Sequence, residues 1–162
     1  MGEKALIRPA RPGDDHELRA VRRLVWSPSS EPAPIPSSDV AVFDERHPFT
    51  GFLVAEMGSR IVGYINQCPA TPLKSTRHIH QINGLGVLKS ARGSGIGKSL
   101  VEAACQRARA ERARRMTLRV LSTNGAARNL YGQCGFNVIA VLPSWFIIDG
   151  VEVDDVWMSR DL

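Results

Sequence analysis

Residues 91–100 read ARGSGIGKSL, with Gly93, Gly95 and Gly97 just ahead of a helix-forming run. Glycines in a turn that opens a helix let backbone N–H groups converge on an anion, and the helix dipole adds positive charge at the same point. A phosphate is therefore the ligand this segment predicts. Spacing excludes two common phosphate loops. One needs glycine, four free residues and then Gly-Lys-Ser; Gly97-Lys98-Ser99 is present, but Arg92 stands where the first glycine belongs. The other needs glycine at its first, third and sixth places, and the sixth after Gly93 is Lys98. Asp149 offers no magnesium ligand that would rescue the first loop, because Asp149-Gly150 between two strand-like runs is turn chemistry.

Proton-transferring side chains are few near this segment. His78 and His80 precede it on a strand, and an imidazole can accept a proton near neutral pH directly or through water. Strand alternation puts both on the face opposite Gln81; exposed or hydrogen-bonded strand histidines are the plain alternative. Cys68, Cys105 and Cys134 are odd in number and lack CxxC spacing, which predicts small buried residues, a reducing compartment and no metal site.

The elements that must position these residues follow from periodicity and breakers. Ala5 to Arg8 form a short strand stopped by Pro9, and Asp14 with Glu17 has the spacing of a capping box for a helix running to about Trp26. Ser27 to Asp39 is too rich in Pro and Ser for regular structure; it is either a binding loop or a flexible connection. Phe52 to Gln67 reads as an antiparallel hairpin about MGSR, and Ile79 to Leu88 as a strand entering the glycine turn. Gly97 to Arg115 carries Leu100, Val101, Ala104, Cys105 and Ala108 on one helical face, with Arg107, Arg109, Arg112, Arg114 and Arg115 late in the same helix. Met116 to Leu121 is the next strand, and the crossover predicts that it lies parallel to its predecessor. A short helix from Asn124 to Cys134, capped by Ser122, Thr123 or Asn124 and closed by Gly135, precedes a hairpin turning at Asp149-Gly150. The sum is an α/β (α+β) chain: a mixed sheet with helices packed on it.

The 162 residues suit one domain over 1–162, and a net charge of +5 weakly favours acidic partners. The arginines lack interleaved aromatics, so nucleic acid is not the expected partner. The first ten residues lack the apolar stretch of a signal peptide and no window approaches a membrane span, which predicts a cytoplasmic protein that does not engage membrane.

Two segments together resemble the GNAT superfamily of acyl-CoA-dependent N-acetyltransferases. Arg92-Gly93-Ser94-Gly95-Ile96-Gly97, preceded by Gly84-Leu85-Gly86-Val87, is similar to that family's Arg/Gln-x-x-Gly-x-Gly/Ala loop. The segment from Asn124 through Arg128 and Tyr131 to Gly135-Phe136 is similar to its Asn, helix, Leu-Tyr, Gly-Phe signature. IRPARPGD and the terminal hairpin extend the resemblance over nearly the whole chain.

The resemblance implies a mostly antiparallel central sheet, helices on both faces and a splayed parallel strand pair at the cofactor site. It implies acetyl-CoA as co-substrate, its pyrophosphate on Arg92, Gly93, Ser94, Gly95, Ile96, Gly97 and Lys98, and its pantetheine arm on the backbone of Leu85, Gly86 and Val87. Asn124 and Arg128 are implied cofactor contacts. Tyr131 is the implied general acid, since a phenol near pKa 10 stays protonated at neutral pH and can donate to a departing thiolate. Where some members place a basic glutamate this chain has Gln81, so His78, His80, Asp154 and Asp155 are candidate bases, and a low-pKa amine would need none. The implied activity is acetyl transfer to a primary amine on a small molecule, peptide or protein by direct attack. The missing glutamate also motivates a non-catalytic acyl-CoA-binding module, and a homodimer is compatible with either.

Overall fold

The computed structural model describes residues 4–162. In chain order the elements are β1 (Leu6–Pro9), α1 (Asp15–Val25), β2 (Phe52–Met57), β3 (Arg60–Pro69), β4 (Ile79–Val87), α2 (Ile96–Ala110), β5 (Arg115–Leu121), α3 (Gly125–Gln133), β6 (Asn137–Ile148) and β7 (Val151–Asp161). The strands form one sheet in the order β1-β2-β3-β4-β5-β7-β6, antiparallel except for β4 and β5. The crossover through α2 makes that pair parallel, as a strand-helix-strand connection allows.

Apolar patterning places a layer on each side of the sheet. On α1 the buried Leu18 and Val21 pack with Phe52, Val54, Ile61 and Tyr64. On the other side Leu100, Val101, Ala104, Cys105 and Ala108 of α2 are fully buried with Ile65, Met116, Leu118 and Tyr131. The small residues let α2 lie close to the sheet. No described helix is long and apolar enough to cross a membrane.

Three local expectations change. Asp14 and Glu17 form no capping box: Asp14 is spent on Arg8, 2.8 Å away, and on the Arg11 amide, while Glu17 accepts from the Ile61 amide at 2.9 Å. Tertiary partners outbid the local ones. The helix expected to reach Arg115 stops at Ala110, because Arg112 takes a left-handed φ of 65° and the Arg114 and Arg115 amides turn back to the His78 carbonyl. The arginines are therefore divided among helix, turn and strand. Cys68 is only half-buried and accepts a contact from Asn83 Nδ2, whereas Cys105 and Cys134 are buried as expected.

The feature that matters most is a bulge in β4. Asn66 pairs with Gly84 and Gln67 with Ile82, so Asn83 has no partner and the alternation resets after it. Ile82, Leu85 and Val87 thereby all pack toward the α2 side, while Gly84 and Gly86 face Tyr64 on the α1 side. Ladder pairing between β4 and β5 covers only Ile79–Ile82 against Arg115–Leu118. Beyond it, Asn83–Val87 and Arg119–Leu121 have no partner across the gap, and the two strands part.

Candidate active site

The glycine turn sits where β4 ends and α2 begins. Gly93 and Gly95 both have φ of +81°, a left-handed conformation that side chains disfavour, and a Cβ on either would meet nothing within 4 Å. Their glycine requirement is one of backbone handedness, and the space outside them is open. Ser94 Oγ donates to the Ala91 carbonyl at 2.7 Å and Arg92 Nε to the Val87 carbonyl at 3.0 Å, which fixes the turn to the end of β4. Gly95 occupies the N-cap of α2 with no side chain bonding the first-turn amides. Those amides of Ile96, Gly97 and Lys98 are the donors an α-helix leaves unsatisfied, and they stand beside the exposed Lys98 and Arg92.

Gly97 serves another purpose. A Cβ there would lie 3.0 Å from Leu130 Cδ2, so this glycine lets α3 close against α2. Of the three glycines expected to admit an anion, two open the turn and the third joins the helices.

On α3 the Asn124 Oδ1 accepts from the Ala127 amide at 3.2 Å, which selects Asn124 from the three candidate caps and leaves its side-chain NH2 without a partner. Gly135, at φ +83°, ends the helix as expected. Between them Tyr131 is only 6% exposed and its ring lies 5.7 Å from that of Phe136. Its hydroxyl has no hydrogen bond to a described residue, yet Arg107 Nη1 is the one side-chain polar atom among them both sealed from solvent and unpartnered. The Tyr131 hydroxyl therefore keeps a small exposure to solvent. Burial holds the phenol well above its ordinary pKa, so it carries its proton at any physiological pH. Arg128 is exposed on the same helix, near the Ser122 carbonyl.

The opposite side of the gap holds groups that the sequence pattern does not single out. Tyr64, paired with Gly86, lays its ring over Gly84 and Gly86, and burial pushes its hydroxyl up to about 12. Arg119, on the unpaired half of β5, donates Nε to Asp155 Oδ2 at 2.8 Å and stacks 5.0 Å from the centre of Trp157. Trp157 Nε1 donates to the same oxygen at 3.0 Å. Asp155, 1% exposed, thus takes three donors on its Oδ2, and Asp154 Oδ1 accepts from the Ser144 amide. This triad was visible only as alternating residues on two separate strands.

The Pro-rich segment is tied down along its length. Trp26 Nε1 donates to the Ala33 carbonyl at 3.0 Å, Arg23 to the Pro36 carbonyl, and Asp15 Oδ1 accepts from the Val42 and Phe43 amides. Thr123 Oγ1 donates to the Ser29 carbonyl at 3.1 Å, which links the segment to the turn between β5 and α3. These bonds give the segment a defined path as an arch from the end of α1 past the start of α3.

The fold thus gathers Leu85, Gly86, Val87, Arg92, Gly93, Ser94, Gly95, Ile96, Gly97 and Lys98 on one flank of the gap, and Asn124, Arg128 and Tyr131 on the other. It does not gather His78 and His80. Both lie at the far end of β4, with Leu85 five residues beyond His80, a rise of roughly 16 Å. His80 is buried on the α2 side, its Nδ1 donating to Gln67 Oε1 at 2.8 Å, and His78 is exposed on a turn. Gln81 Nε2 is spent on Asn83 Oδ1.

Acetyl-CoA fits these residues by observation: a turn open outside Gly93 and Gly95, uncapped helix amides for a pyrophosphate, and an unpaired strand edge at Asn83–Val87 for the amides of pantetheine. Among the described residues no group of three His, Cys, Asp or Glu side chains could hold a metal ion.

Comparison with known proteins bears on the same segments. A sequence profile of the acetyltransferase (GNAT) family matches residues 18–136. A protein from Streptococcus mutans UA159, smu.2055, has a similar structure with a TM-score of 0.85 and 28% identity over 96% of this chain and 98% of its own. The acetyltransferase yncA from Salmonella typhimurium, solved with acetyl-CoA, superposes with a TM-score of 0.82 at 20% identity, covering 99% of this chain and 95% of its own. A phosphinothricin acetyltransferase from Sinorhizobium meliloti, also solved with acetyl-CoA, gives 0.81 at 19% identity over 98% and 89% of the two chains. A search of curated protein sequences found no match. With the family's sequence pattern running from α1 through the glycine turn to Phe136, and its fold around the parted strands, the chain belongs to the GNAT family of acetyltransferases, whose co-substrate is acetyl-CoA.

Proposed function

We propose that this protein transfers acetyl from acetyl-CoA to a primary amine by direct attack, with Tyr131 as the general acid. The observation that carries the reading is the Tyr131 hydroxyl: protonated by burial, without a hydrogen bond to any described residue, and held on α3 beside the turn that suits the pyrophosphate.

Bound acetyl-CoA supplies a thioester, an acyl group already activated toward nitrogen nucleophiles. The amides of Ile96, Gly97 and Lys98 hold the pyrophosphate, with Arg92 and Lys98 adding charge, and the backbone of Leu85, Gly86 and Val87 holds the arm. Asn124 and Arg128 flank it from the other side. The amine nitrogen bonds to the acetyl carbon as the carbon–sulfur bond breaks. Tyr131 gives its proton to the sulfur and recovers one from the acylated nitrogen through solvent. His78 and His80 take no part in this scheme, because their positions at the far end of β4 keep them from the gap. A protonated amine first loses one proton to solvent, so that its nitrogen attacks in the neutral form.

The test is acetyl-CoA-dependent thiol release against a panel of amino acids, polyamines, aminoglycosides and peptides with free N-termini. Single-turnover measurement should show Tyr131→Phe slowed by about 10²–10⁴-fold with coenzyme A affinity unchanged. An unaltered single-turnover rate removes Tyr131 as the acid. Tight coenzyme A binding with no release toward any amine would instead favour the binding module that the absent glutamate at Gln81 suggests.

A further inference from the structure

Two side chains above Tyr64 stand out because they are charged, opposed and unspent. Arg22, in the last turn of α1, has Nη2 3.8 Å from Oε1 of Glu31 on the Pro-rich arch. That separation is an ion pair without a hydrogen bond, since charge-assisted hydrogen bonds close to about 2.7–2.9 Å. Neither side chain bonds any other described residue, and both are about one-third exposed. Val25, in the same last turn of α1, and the Tyr64 ring both bear on Gly86, so the pair lies on the Tyr64 side of β4, where both charges act on the phenol.

The placement of this pair is set by contacts already described. Tyr64 lies over the free half of β4, and the arch carrying Glu31 is fastened two residues earlier, at Ser29, to Thr123. Thr123 leads directly into Asn124 and the helix of Tyr131. Other charged groups near the parted strands have close partners: Arg119 bonds Asp155, Asp154 Oδ1 the Ser144 amide and Glu152 Oε2 the Ser144 hydroxyl. Arg22 and Glu31, by contrast, share one long contact and have no other hydrogen bond to a described residue.

We propose that Arg22 and Glu31 select the acceptor as a free α-amino acid, Arg22 taking its carboxylate and Glu31, with the Tyr64 hydroxyl, taking its amino group. A zwitterion carries two opposite charges side by side, which matches a loosely joined cation and anion and replaces their one long contact with two short ones. An amine lacking the carboxylate leaves Arg22 unused; a diamine places a cation against it. This inference rests on the acetyl-transfer reading for its context, but its binding half stands apart from catalysis.

Two experiments test it. In the first, each of the twenty L-amino acids and its primary amide is offered with acetyl-CoA, and thiol release is followed. The best acid should exceed its own amide by at least about tenfold in kcat/KM, the scale of a charge-assisted contact. Arg22→Gln should abolish that preference while Arg22→Lys retains part of it, and Glu31→Gln should raise KM for acid and amide alike. In the second, the same amino acids are titrated calorimetrically into the protein saturated with coenzyme A, where no acetyl group is present. Binding should be seen, and should be lost in Arg22→Gln and in Glu31→Gln. Amides used as well as acids, or a preference that survives Arg22→Gln, overturns the proposal while leaving acetyl transfer intact. Amino-acid binding that depends on both residues, with no thiol release toward any amine, sustains the proposal and overturns the catalytic reading instead.

Discussion

The ring of Tyr64 and the backbone of Gly86 lie so close that a methyl group on Gly86 would come within 2.9 Å of Tyr64 Cε1 and 2.7 Å of Val25 Cγ2. Glycine at this point on β4 is a condition for seating Tyr64, whatever its backbone contributes to cofactor binding. At Gly84 the same ring leaves 3.7 Å, an ordinary contact. Gly86→Ala should therefore destabilise by about 1–3 kcal/mol through overpacking, a Tm lower by roughly 2–12 °C. Gly84→Ala should remain within about 1 kcal/mol of the parent. Thermal melts of the two variants check the contrast, and equal losses would contradict it.

The division of labour among the three turn glycines gives a second contrast. Gly93→Ala must hold a left-handed φ, at a cost of about 1–2 kcal/mol, or reshape the turn. Its expected effect is weaker coenzyme A binding, read by calorimetry. Gly97→Ala sits in a helix and meets Leu130, the neighbour of Tyr131. Here the expected loss is mainly in the single-turnover rate, with affinity changed less than in Gly93→Ala.

His80 makes stability depend on pH. Burial opposes its imidazolium and Arg107 adds to this; the Glu111 carboxylate, 3.6 Å from Nδ1, pulls the other way and is outweighed. The folded pKa lies below the usual 6.5, so below that pH the unfolded chain binds the proton more readily. Its contribution is complete above pH 6.5 and is lost as pH falls through the folded value. Asp14, Asp15 and Glu102, held low by Arg and amide partners, lose theirs in a separate window below about pH 4. Urea midpoints at pH 7.5 and 5.5 should fall in the parent and differ less in His80→Gln. An identical decline in both would remove His80 as the cause.

Asp155 receives Arg119 through two N–H groups and Trp157 through one, in a site almost closed to water. Asp155→Asn keeps the shape and removes the charge that makes those bonds strong. A loss of about 1.5–3 kcal/mol is expected, seen as a lower urea midpoint at unchanged slope.

Much of this architecture was legible in the sequence because its signals are local. Asp149 and Gly150, both at positive φ in the structure, announce the last hairpin, and Gly135 marks the end of α3. The small residues Ala104, Cys105 and Ala108 mark the face of α2 that meets the sheet. The cofactor flank was legible for the same reason: turn, helix start and strand end are contiguous in the chain. The flank formed by β5, α3 and β7 was not. Arg119 meets Asp155 across 36 positions, and Thr123 meets Ser29 across 94. Such pairs arise from register and from the path of a loop, neither of which composition encodes. Asp14 and Glu17 failed as a capping box for the same cause, since Arg8 and the Ile61 amide reached them from other elements.

Asn83, the residue without a partner in β4, gives this strand an uneven grammar of change. Substituting it alters one exposed side chain and its contacts with Gln81 and Cys68. Deleting it would leave Ile82 followed directly by Gly84, with every later residue still on its present side, whereas drawing Asn83 into an unbroken ladder would move Gly84 to Val87 across the sheet. Leu85 and Val87 would then point at α1, and the two glycines that accommodate Tyr64 would turn toward α2. The site is thus written in the count of residues as much as in their kinds: one residue more in β4 than in the facing stretch of β3 is what keeps Leu85 and Val87 on the α2 side.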